Sequence, residues 1–385
     1  MLNFDFYNPT RILFGQGQIA ALSRLVPAEA RVLLVYGGGS IKRNGVYDQV
    51  RAALKNHTVL EFSGIEPNPT YENLLRAVEQ AKAGQIDFLL AVGGGSVIDG
   101  AKFIAAAALH DGEPWDILAI GGKIVDAALP FGCVLTLPAT GSEMNSGSVV
   151  TRKSTLEKRS FNSRKVFPKF SILDPDTTVT LPLRQVGNGV VDAYAHVMEQ
   201  YMTYPVNAAV QDRFAEGLLL TLIEEGPKAL SMPDDYDVRA NVMWSATLAL
   251  NGLIGAGVPQ DWATHAVGHE LTALYDLDHA QTLAIVLPSM LRVRKQSKRA
   301  KLLQYAARVW NLTGGDEDSR IEAAIVRTEQ FFEQMGVKTR LADYGLHRGS
   351  IDAVVAALEA HGRTSLGEQR EVNAGVSRKV LEMSL

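Results

Sequence analysis

The sequence contains very little cysteine and no long hydrophobic run. Its single cysteine, Cys133, cannot form a disulfide within the chain, and it lies in the apolar segment GCVLTL, which is typical of a buried strand. No segment reaches the roughly 18 consecutive apolar residues that a membrane-spanning helix needs. The sequence therefore predicts a protein with neither a disulfide framework nor a membrane domain.

A dense run of positive charge is also missing. The chain has 38 Lys and Arg against 42 Asp and Glu, so its electrostatics do not favour nucleic acid or an anionic membrane as a partner. The segment MLNFDFYNPT at the start of the sequence lacks the basic region and apolar core of a secretory signal. We therefore expect a cytoplasmic protein that binds a small neutral or anionic molecule.

The first half of the chain alternates two patterns. Near-continuous apolar runs, typical of strands that are buried on both faces, are separated by segments with helical spacing. The runs are 31–36, 57–62, 87–92, 132–137 and 170–174, and the helical segments are 45–55, 70–84 and 96–109. This order predicts an α/β domain with a parallel, doubly wound sheet, in which ligands bind at the carboxyl ends of the strands.

Strand patterns stop at the proline-containing turn 174–183. Helical patterns follow at 186–203, 207–224, 236–255, 260–275, 279–294, 299–311, 317–335, 348–361 and 369–383. A chain of 385 residues is long enough for two domains. We predict an α/β domain at 1–183 and an all-α domain at 184–385.

Glycine-rich loops follow two of the predicted strands. YGGGS ends at Ser40, and VGGGSV contains Gly94, Gly95 and Ser96 at the start of a predicted helix. Glycine lets backbone N–H groups approach a pyrophosphate, and a helix N-terminus adds partial positive charge, so the two loops favour a dinucleotide. The alternative is that the glycines only turn the chain. FGQGQIA near the start lacks the acidic partner of a dinucleotide fingerprint, and we interpret it as a tight turn.

The first loop also indicates which dinucleotide is bound. Sites for NAD usually present Asp or Glu after this strand, and that carboxylate repels a 2′-phosphate. Here the strand is followed by Gly37, Gly38, Gly39 and Ser40, with Lys42 and Arg43 close behind. This composition favours NADPH over NADH. The two cations could equally be ordinary solvated charges.

A hydroxyl-rich loop, LPATGSEMNSGS, follows the strand GCVLTL. At the carboxyl edge of the sheet such a loop would meet the phosphates or the nicotinamide of a dinucleotide. Thr136, Thr140, Ser142 and Glu143 are the candidate contacts. The alternative is that Thr140 or Ser142 only caps a helix.

Five side chains in the second half suggest a metal site. Asp192 and His196 are four residues apart, His265 and His269 repeat that spacing, and His279 follows across a turn. Residues four apart share one helix face, although such pairs also occur by chance. The order HAVGHE is not the HExxH of zinc proteases, and no cysteine is available for a thiolate site. We therefore predict an Asp/His site for Fe²⁺ or Zn²⁺ that leaves room for a substrate oxygen.

Four motifs together give a family resemblance. GGGSVIDGAK, LPATGSEMN, GNGVVDAYAHVMEQY and HAVGHELTALYDLDHAQTLAIVLP resemble the iron-containing (group III) alcohol dehydrogenase family over nearly the whole chain. YGGGS, GIEPNP, GVPQDWATH and LDHAQT are similar to its NADPH-dependent aldehyde reductases and butanol dehydrogenases. The resemblance implies the dehydroquinate-synthase-like fold: a dinucleotide-binding α/β domain, an all-helical domain and a cleft between them. It also implies a homodimer.

The resemblance also assigns site residues. It implies that Asp192, His196, His265 and His279 hold one divalent metal ion and that His269 lies nearby without binding it. The implied NADP(H) contacts are Gly37, Gly38, Gly39, Ser40, Asn68, Gly94, Gly95, Ser96, Asp99, Thr136, Thr140, Ser142 and Lys158. The sequence departs from many members at Ala280, where they have glycine, and from NAD-using members at Gly37 and Gly38, where they carry an aspartate. The second departure supports NADPH.

The function that this resemblance implies is reversible, NADPH-dependent reduction of aldehydes to primary alcohols, with the metal polarising the carbonyl oxygen. We expect His269 either to relay a proton or to support the ligands structurally. Trp262 and Tyr275 favour short to medium aliphatic aldehydes, although core packing would explain both. The alternatives are polyol oxidation like that of glycerol dehydrogenase, a lyase like dehydroquinate synthase, or a non-catalytic nucleotide- or metal-binding protein. Neither of the first two matches LDHAQT or GVPQDWATH.

Overall fold

The computed structural model describes residues 1–385, and its first feature is a parallel sheet. The strands are β1 (Arg11–Phe14), β2 (Arg31–Tyr36), β3 (Thr58–Phe62), β4 (Phe88–Gly94), β5 (Phe131–Leu137), β6 (Gly147–Arg152), β7 (Glu157–Asn162) and β8 (Phe170–Leu173). Six strands form the sheet in the order β1-β8-β5-β4-β2-β3, and every pairing is parallel. The five predicted strands and the parallel α/β class are confirmed.

The sheet is covered on both faces. Its helices are α1 (Leu22–Leu25), α2 (Ser40–Arg43), α3 (Val46–Ala53), α4 (Tyr71–Ala83), α5 (Gly95–Ala107) and α6 (Trp115–Ala119). Alternate residues of β2 enter different cores: Leu33 and Val35 pack in one cluster, whereas Val32 and Leu34 pack in the other. Because both faces are buried, the central strands β2, β4 and β5 are apolar at nearly every position. Cys133 is fully buried on β5, as its sequence context predicts.

The sequence patterns did not predict three of the strands, β1, β6 and β7. β1 is a short edge strand beside β8, and β6 pairs with β7 in a separate antiparallel hairpin. Only some residues of each hairpin strand are buried, and its sequence is a mixture of polar and apolar residues rather than an apolar run. The turn between β6 and β7 includes Leu156 in the left-handed conformation, with φ of 52°, which no glycine signals.

The second half is helical, as predicted. Its helices are α7 (Leu183–Tyr201), α8 (Ala209–Ser231), α9 (Tyr236–Ala249), α10 (Ala263–Tyr275), α11 (His279–Val293), α12 (Arg299–Arg308), α13 (Glu317–Gln334), α14 (Arg348–Ala360) and α15 (Ala374–Met383). α10, α11, α14 and α15 enclose one apolar core that includes Val267, Ile285, Val354 and Leu381. None of the helices combines the length and the apolar character that crossing a membrane would require.

Internal packing divides the chain into two units. The α/β unit contains Tyr7–Pro182 and Pro233–Thr247, and the helical unit contains Met1–Phe6, Leu183–Met232 and Leu248–Leu385. The predicted division after residue 183 followed chain order, so it placed Met1–Phe6 with the α/β domain and Pro233–Thr247 with the all-α domain. Most of α9 belongs with the sheet because Met243 enters the core of the sheet and the Thr247 hydroxyl donates a hydrogen bond of 2.5 Å to Glu143 Oε1.

Gly187 tests the packing of the helical unit. A Cβ atom at this position on α7 would lie 2.0 Å from the carbonyl oxygen of Met335, whereas one at Gly217 on α8 would meet nothing within 4 Å. Gly187→Ala is expected to lower the free energy of unfolding by about 1–3 kcal/mol, because the backbone of α13 has to shift. Gly217→Ala should raise it by about 0.5–1 kcal/mol through helix propensity. Urea denaturation measures both, and equal stability of the two variants would contradict the close approach.

Candidate functional site

Three histidines converge in the helical unit. His196 lies on α7, His265 on α10, and His279 is the first residue of α11. One ring nitrogen from each can be chosen so that all three lie within 4.8 Å of one another. The ring centroids of His196 and His265 are 4.7 Å apart, and those of His265 and His279 are 5.1 Å apart. Three separate helices therefore supply nitrogen donors to one point.

Asp278 fixes where α11 begins. It is the N-cap residue, and its backbone N–H donates to Gln281 Oε1 at 3.0 Å, which satisfies an amide at the helix end. The Asp278 carboxylate accepts hydrogen bonds from Arg184 and Asn188 on α7, at 2.5 and 2.8 Å. These contacts attach the start of α11 to the helix that carries His196. The turn thus places His279 beside the other two histidines.

Hydrogen bonds set the tautomer of His196. Its Nδ1 lies 2.8 Å from the backbone carbonyl oxygen of Asp192, and a carbonyl can only accept. We therefore assign the proton to Nδ1, which leaves the Nε2 lone pair for a ligand. Burial lowers the pKa of His196 to about 4, although the Asp192 carboxylate acts in the opposite direction. His196 is consequently neutral at pH 7, the form in which an imidazole binds a metal.

The Asp192 carboxylate lies at the edge of this group. Its side chain is only 4% exposed, and Oδ1 is 3.5 Å from His279 Nε2 while Oδ2 is 3.8 Å from His196 Nδ1. A buried carboxylate beside three imidazoles is a suitable donor set for a divalent ion such as Fe²⁺ or Zn²⁺. The residues that the family resemblance implied as ligands are thus brought together, and their chemistry fits a metal.

His269 lies beside the three histidines rather than among them. Its ring centroid is 6.4 Å from that of His265 and 5.7 Å from that of His279. It is half-buried, whereas His265 is buried. This position, one helical turn from His265 and nearer to solvent, is compatible with both a proton relay and a supporting role.

Two aromatic residues named in the sequence analysis have different surroundings. The Trp262 indole lies edge-on to His265, with ring centroids 5.0 Å apart, and the residue has a strained left-handed backbone with φ of 60°. Tyr275 instead packs against the apolar core of α10, α11, α14 and α15. Trp262 therefore belongs to the surroundings of the histidines, and core packing explains Tyr275.

Sequence reasoning missed Glu199. This residue is 4% exposed, and its Oε1 lies 3.0 Å from both the backbone nitrogen and the Nδ1 atom of His265. Burial, followed by the nearby Asp261, raises the pKa of the Glu199 carboxyl. A signal was present, since Glu199 follows His196 by three residues and so shares its helix face.

The predicted dinucleotide residues gather at one edge of the sheet. Strands β5, β4 and β2 are neighbours, and their carboxyl ends carry Thr136, the loop Gly94–Ser96 and the loop Gly37–Ser40. A Cβ atom at Gly95 would lie 2.3 Å from Thr140 Oγ1, so only glycine allows these two loops to touch. α5 begins at Gly95 and presents its N-terminus at the same edge, where a phosphate is favoured.

Asn68 and Lys158 meet because of the hairpin β6–β7. Lys158 Nζ donates a hydrogen bond of 2.8 Å to Asn68 Oδ1, and the backbone N–H of Thr151 donates to the Pro69 carbonyl oxygen at 2.9 Å. Asn68 itself has a left-handed backbone with φ of 54°. The hairpin thus brings Lys158 to a loop that is 90 residues earlier in the chain.

A buried lysine organises the hydroxyl-rich loop. Lys102 on α5 is fully buried, and its Nζ donates to Ser142 Oγ and Asn145 Oδ1, both at 2.8 Å, and to the Gly147 carbonyl oxygen at 2.6 Å. Ser142 Oγ donates in turn to Asp99 Oδ1 at 2.5 Å. Burial lowers the pKa of Lys102 to about 8. Asp99 and Ser142 are therefore held in a preformed polar network.

Thr140 takes part in the same turn. Its hydroxyl oxygen accepts the backbone N–H of Ser142 at 3.2 Å, and Gly141, in the left-handed conformation, occupies the N-cap of the short 3₁₀ helix Ser142–Met144. The helix-capping alternative in the sequence analysis thus describes only a local turn. Glu143 is buried behind that turn, and burial raises the pKa of its carboxyl.

Lys42 has partners of its own. Its ammonium group lies 5.1 Å from the Tyr36 ring centroid, 4.8 Å from that of Tyr47 and 3.9 Å from Glu61 Oε2. The two tyrosine hydroxyls donate to the same Glu61 carboxylate, at 2.9 and 2.6 Å. The Lys42 side chain is still 48% exposed, so its charge remains available at the end of β2.

This fold and this histidine group define the class of protein. The profile of the iron-containing alcohol dehydrogenase family matches residues 9–175, and that of the Fe-containing alcohol dehydrogenase family C-terminal region matches residues 187–375. The chain belongs to the iron-containing alcohol dehydrogenase family, so the resemblance found in the sequence is confirmed.

Within the family, the chain is 62% identical to the NADPH-dependent aldehyde reductase YqhD of Escherichia coli K12, over 384 residues and 99% of each chain. It is 44% identical to a probable NADH-dependent butanol dehydrogenase of Bacillus subtilis, over 391 residues and 100% of each chain. The crystal structure of E. coli K-12 YqhD superposes with a TM-score of 0.99 at 61% identity, covering 100% of this chain and 99% of that one.

Lys102→Met tests the buried network. The substitution keeps the apolar stem but leaves the acceptors on Ser142, Asn145 and the Gly147 carbonyl without their cation, so we expect the free energy of unfolding to fall by about 2–4 kcal/mol. Lys123→Met, at an exposed lysine of the same unit, is the control and should change stability by less than about 0.5 kcal/mol. Urea denaturation distinguishes them, and a Lys102→Met protein as stable as the control would show that the network is not structural.

Proposed function

We propose that this protein catalyses the reversible, NADPH-dependent reduction of aldehydes to primary alcohols at a site that holds one divalent metal ion. The observation that carries the proposal is the convergence of His196, His265 and His279, with nitrogens within 4.8 Å, in a chain of this family. Its full-length similarity to a relative named as an NADPH-dependent aldehyde reductase supports the reaction.

In this proposal Asp192, His196, His265 and His279 hold the ion. A bound divalent cation would act as a Lewis acid, favouring the negative charge that develops on the carbonyl oxygen as hydride reaches the carbon. One carboxylate and three neutral imidazoles leave the site with a net charge of about +1, so it still attracts that oxygen. The donor set accepts Fe²⁺ or Zn²⁺, and elemental analysis of protein purified without added metal identifies which is bound.

The α/β unit would hold the cofactor at the carboxyl edge of its sheet. Backbone N–H groups of Gly94–Ser96 and the N-terminus of α5 suit the pyrophosphate. Gly37–Ser40 present no acidic side chain to a 2′-phosphate, and Lys42 adds a partly exposed positive charge nearby. These features support NADPH as the hydride donor.

His269 would supply the proton that the reaction consumes. Reduction adds a hydride from NADPH to the carbonyl carbon and a proton to the oxygen, and the products are the alcohol and NADP⁺. His269 is half-buried and one turn from His265, so its imidazole can exchange protons with water and supply the one that the oxygen takes. A purely supporting role for His269 predicts weaker metal binding instead.

The proposal extends to substrate, direction and assembly. The Trp262 indole beside His265 offers an apolar surface suited to short and medium aliphatic aldehydes. Because cells keep NADPH mostly reduced, we expect reduction in the cytoplasm; equal efficiency with NAD in alcohol oxidation would contradict this direction.

We also propose a homodimer, since Leu2, Phe4 and Phe6 are 46%, 53% and 43% exposed. Light scattering of the purified protein tests the assembly.

Histidine variants test the reaction and the metal site together. In a spectrophotometric assay of NADPH with an aldehyde panel, His265→Ala should lose bound metal and activity together. His269→Ala should retain metal while turnover falls by about 10²-fold or more, because a proton donor is lost. His110→Ala, at a histidine outside the site, is the control and should behave like wild type. Full activity in His265→Ala would contradict the ligand assignment, and wild-type protein that binds NADPH without oxidising it would favour a non-catalytic role.

Gly38→Asp tests the choice of dinucleotide. A Cβ atom at Gly38 would meet nothing within 4 Å, so a side chain can be added there, and the carboxylate of aspartate would repel the 2′-phosphate. The KM for NADPH should rise by about 10- to 100-fold while that for NADH falls. Gly314→Asp adds the same charge at another open glycine and should alter neither constant. Unchanged KM values for Gly38→Asp would place the 2′-phosphate elsewhere.

A further inference from the structure

We propose that Glu199 is a positioning residue for the metal site, which holds His265 so that its Nε2 atom faces the other two histidines. The inference rests on the proposed metal site and adds to it a residue outside the ligand set. It is carried by two hydrogen bonds from His265 to one buried carboxylate oxygen, together with the way Glu199 is attached to the start of α10.

The two hydrogen bonds fix both the backbone and the ring of His265. The backbone N–H and the Nδ1 atom each lie 3.0 Å from Glu199 Oε1. A backbone N–H can only donate, so Oε1 acts as an acceptor here. We therefore assign the second proton to Nδ1 as well, which leaves the lone pair on Nε2.

His196 and His265 find an acceptor for the Nδ1 proton in different ways. His196 donates this proton to the carbonyl oxygen of Asp192 in its own helix, so no other element has to supply an acceptor. His265 lies near the start of α10, where the carbonyl oxygens of a preceding helical turn are not available. A side chain from α7 supplies the acceptor instead. Glu199 follows His196 by three residues, so one face of α7 serves two of the converging histidines.

The position of Glu199 is itself fixed. Its backbone carbonyl oxygen accepts the N–H of Asp261 at 2.9 Å, and Asp261 Oδ1 accepts the N–H of Ala263, the first residue of α10, at 2.9 Å. Asp261 also forms buried ion pairs with Arg294 and with Lys298, the latter at 2.7 Å. The start of α10 is thus attached to α7 by a backbone hydrogen bond, and buried ion pairs hold Asp261 in place.

A carboxylate with 4% exposure is costly to bury unless it is hydrogen-bonded or paired with a charge. The two hydrogen bonds from His265 offset part of that cost, and an acceptor behind the ring fixes its orientation toward a cation and raises the basicity of the ligand nitrogen. Loss of such an acceptor typically weakens metal binding by about 10- to 100-fold. Charge and geometry both contribute, so a neutral isostere should keep part of the effect.

Cobalt titration of the metal-free full chain tests the inference. Co²⁺ is a probe whose d–d absorption reports coordination, and chelator competition gives its affinity. Glu199→Ala is expected to weaken Co²⁺ binding by about 10- to 100-fold and to alter the spectrum, with Glu199→Gln in between. Glu216→Gln is the matched control: this buried carboxylate of the same unit pairs with Tyr201 and Arg308 and should leave cobalt affinity and spectrum unchanged. NADPH affinity should be the same in all four proteins.

The outcomes separate this inference from the metal site itself. Wild-type protein that fails to bind Co²⁺ would remove the proposed site. If wild type binds and His265→Ala does not, the site stands, and wild-type affinity and spectrum in Glu199→Ala and Glu199→Gln would overturn the role of Glu199. Should the alanine variant fail to fold, the glutamine variant decides, because it keeps the size of the side chain while removing its charge.

Discussion

The meeting of three imidazoles from three helices is the constraint on which the helical unit depends. Each ring needs its second nitrogen satisfied, because a freely rotating imidazole would not hold its lone pair toward a shared point. The structure meets this need with a backbone carbonyl for His196 and a carboxylate for His265. Asp278, which caps α11 and accepts hydrogen bonds from α7, brings the third histidine to the same place.

The α/β unit has a different requirement, which is to leave backbone N–H groups accessible. A pyrophosphate needs backbone N–H groups without intervening side chains, and the sheet supplies these where strands β2 and β4 end. The close approach of Gly95 to Thr140 shows that packing alone already requires glycine at position 95. Buried Lys102 then holds the neighbouring turn through Ser142 and Asn145. A buried polar network therefore connects the residues at this edge of the sheet.

Several features were readable from the sequence because they are local. Apolar runs of five or six residues predicted the central strands, and helical spacing predicted α7 to α15. β1, β6 and β7 were missed because an edge strand and a partly buried hairpin carry mixed residues. Missing the hairpin had the larger consequence, because the hairpin brings Lys158 to Asn68. The grouping of most of α9 with the sheet was also hidden, because it depends on contacts such as Thr247 with Glu143.

By itself the sequence determined five of the six strands of the parallel sheet, the helices of the second half, the glycine loops and the candidate metal ligands, since each of these is a pattern within a few residues or a family motif. Only the tertiary structure decided that three histidines meet, that His269 lies outside this group, and that Glu199 contacts His265 Nδ1. It also separated Trp262, which lies against the histidines, from Tyr275, which packs in the core. The physical reason is that a contact between helices depends on their packing angle and register, which no spacing along a single segment encodes.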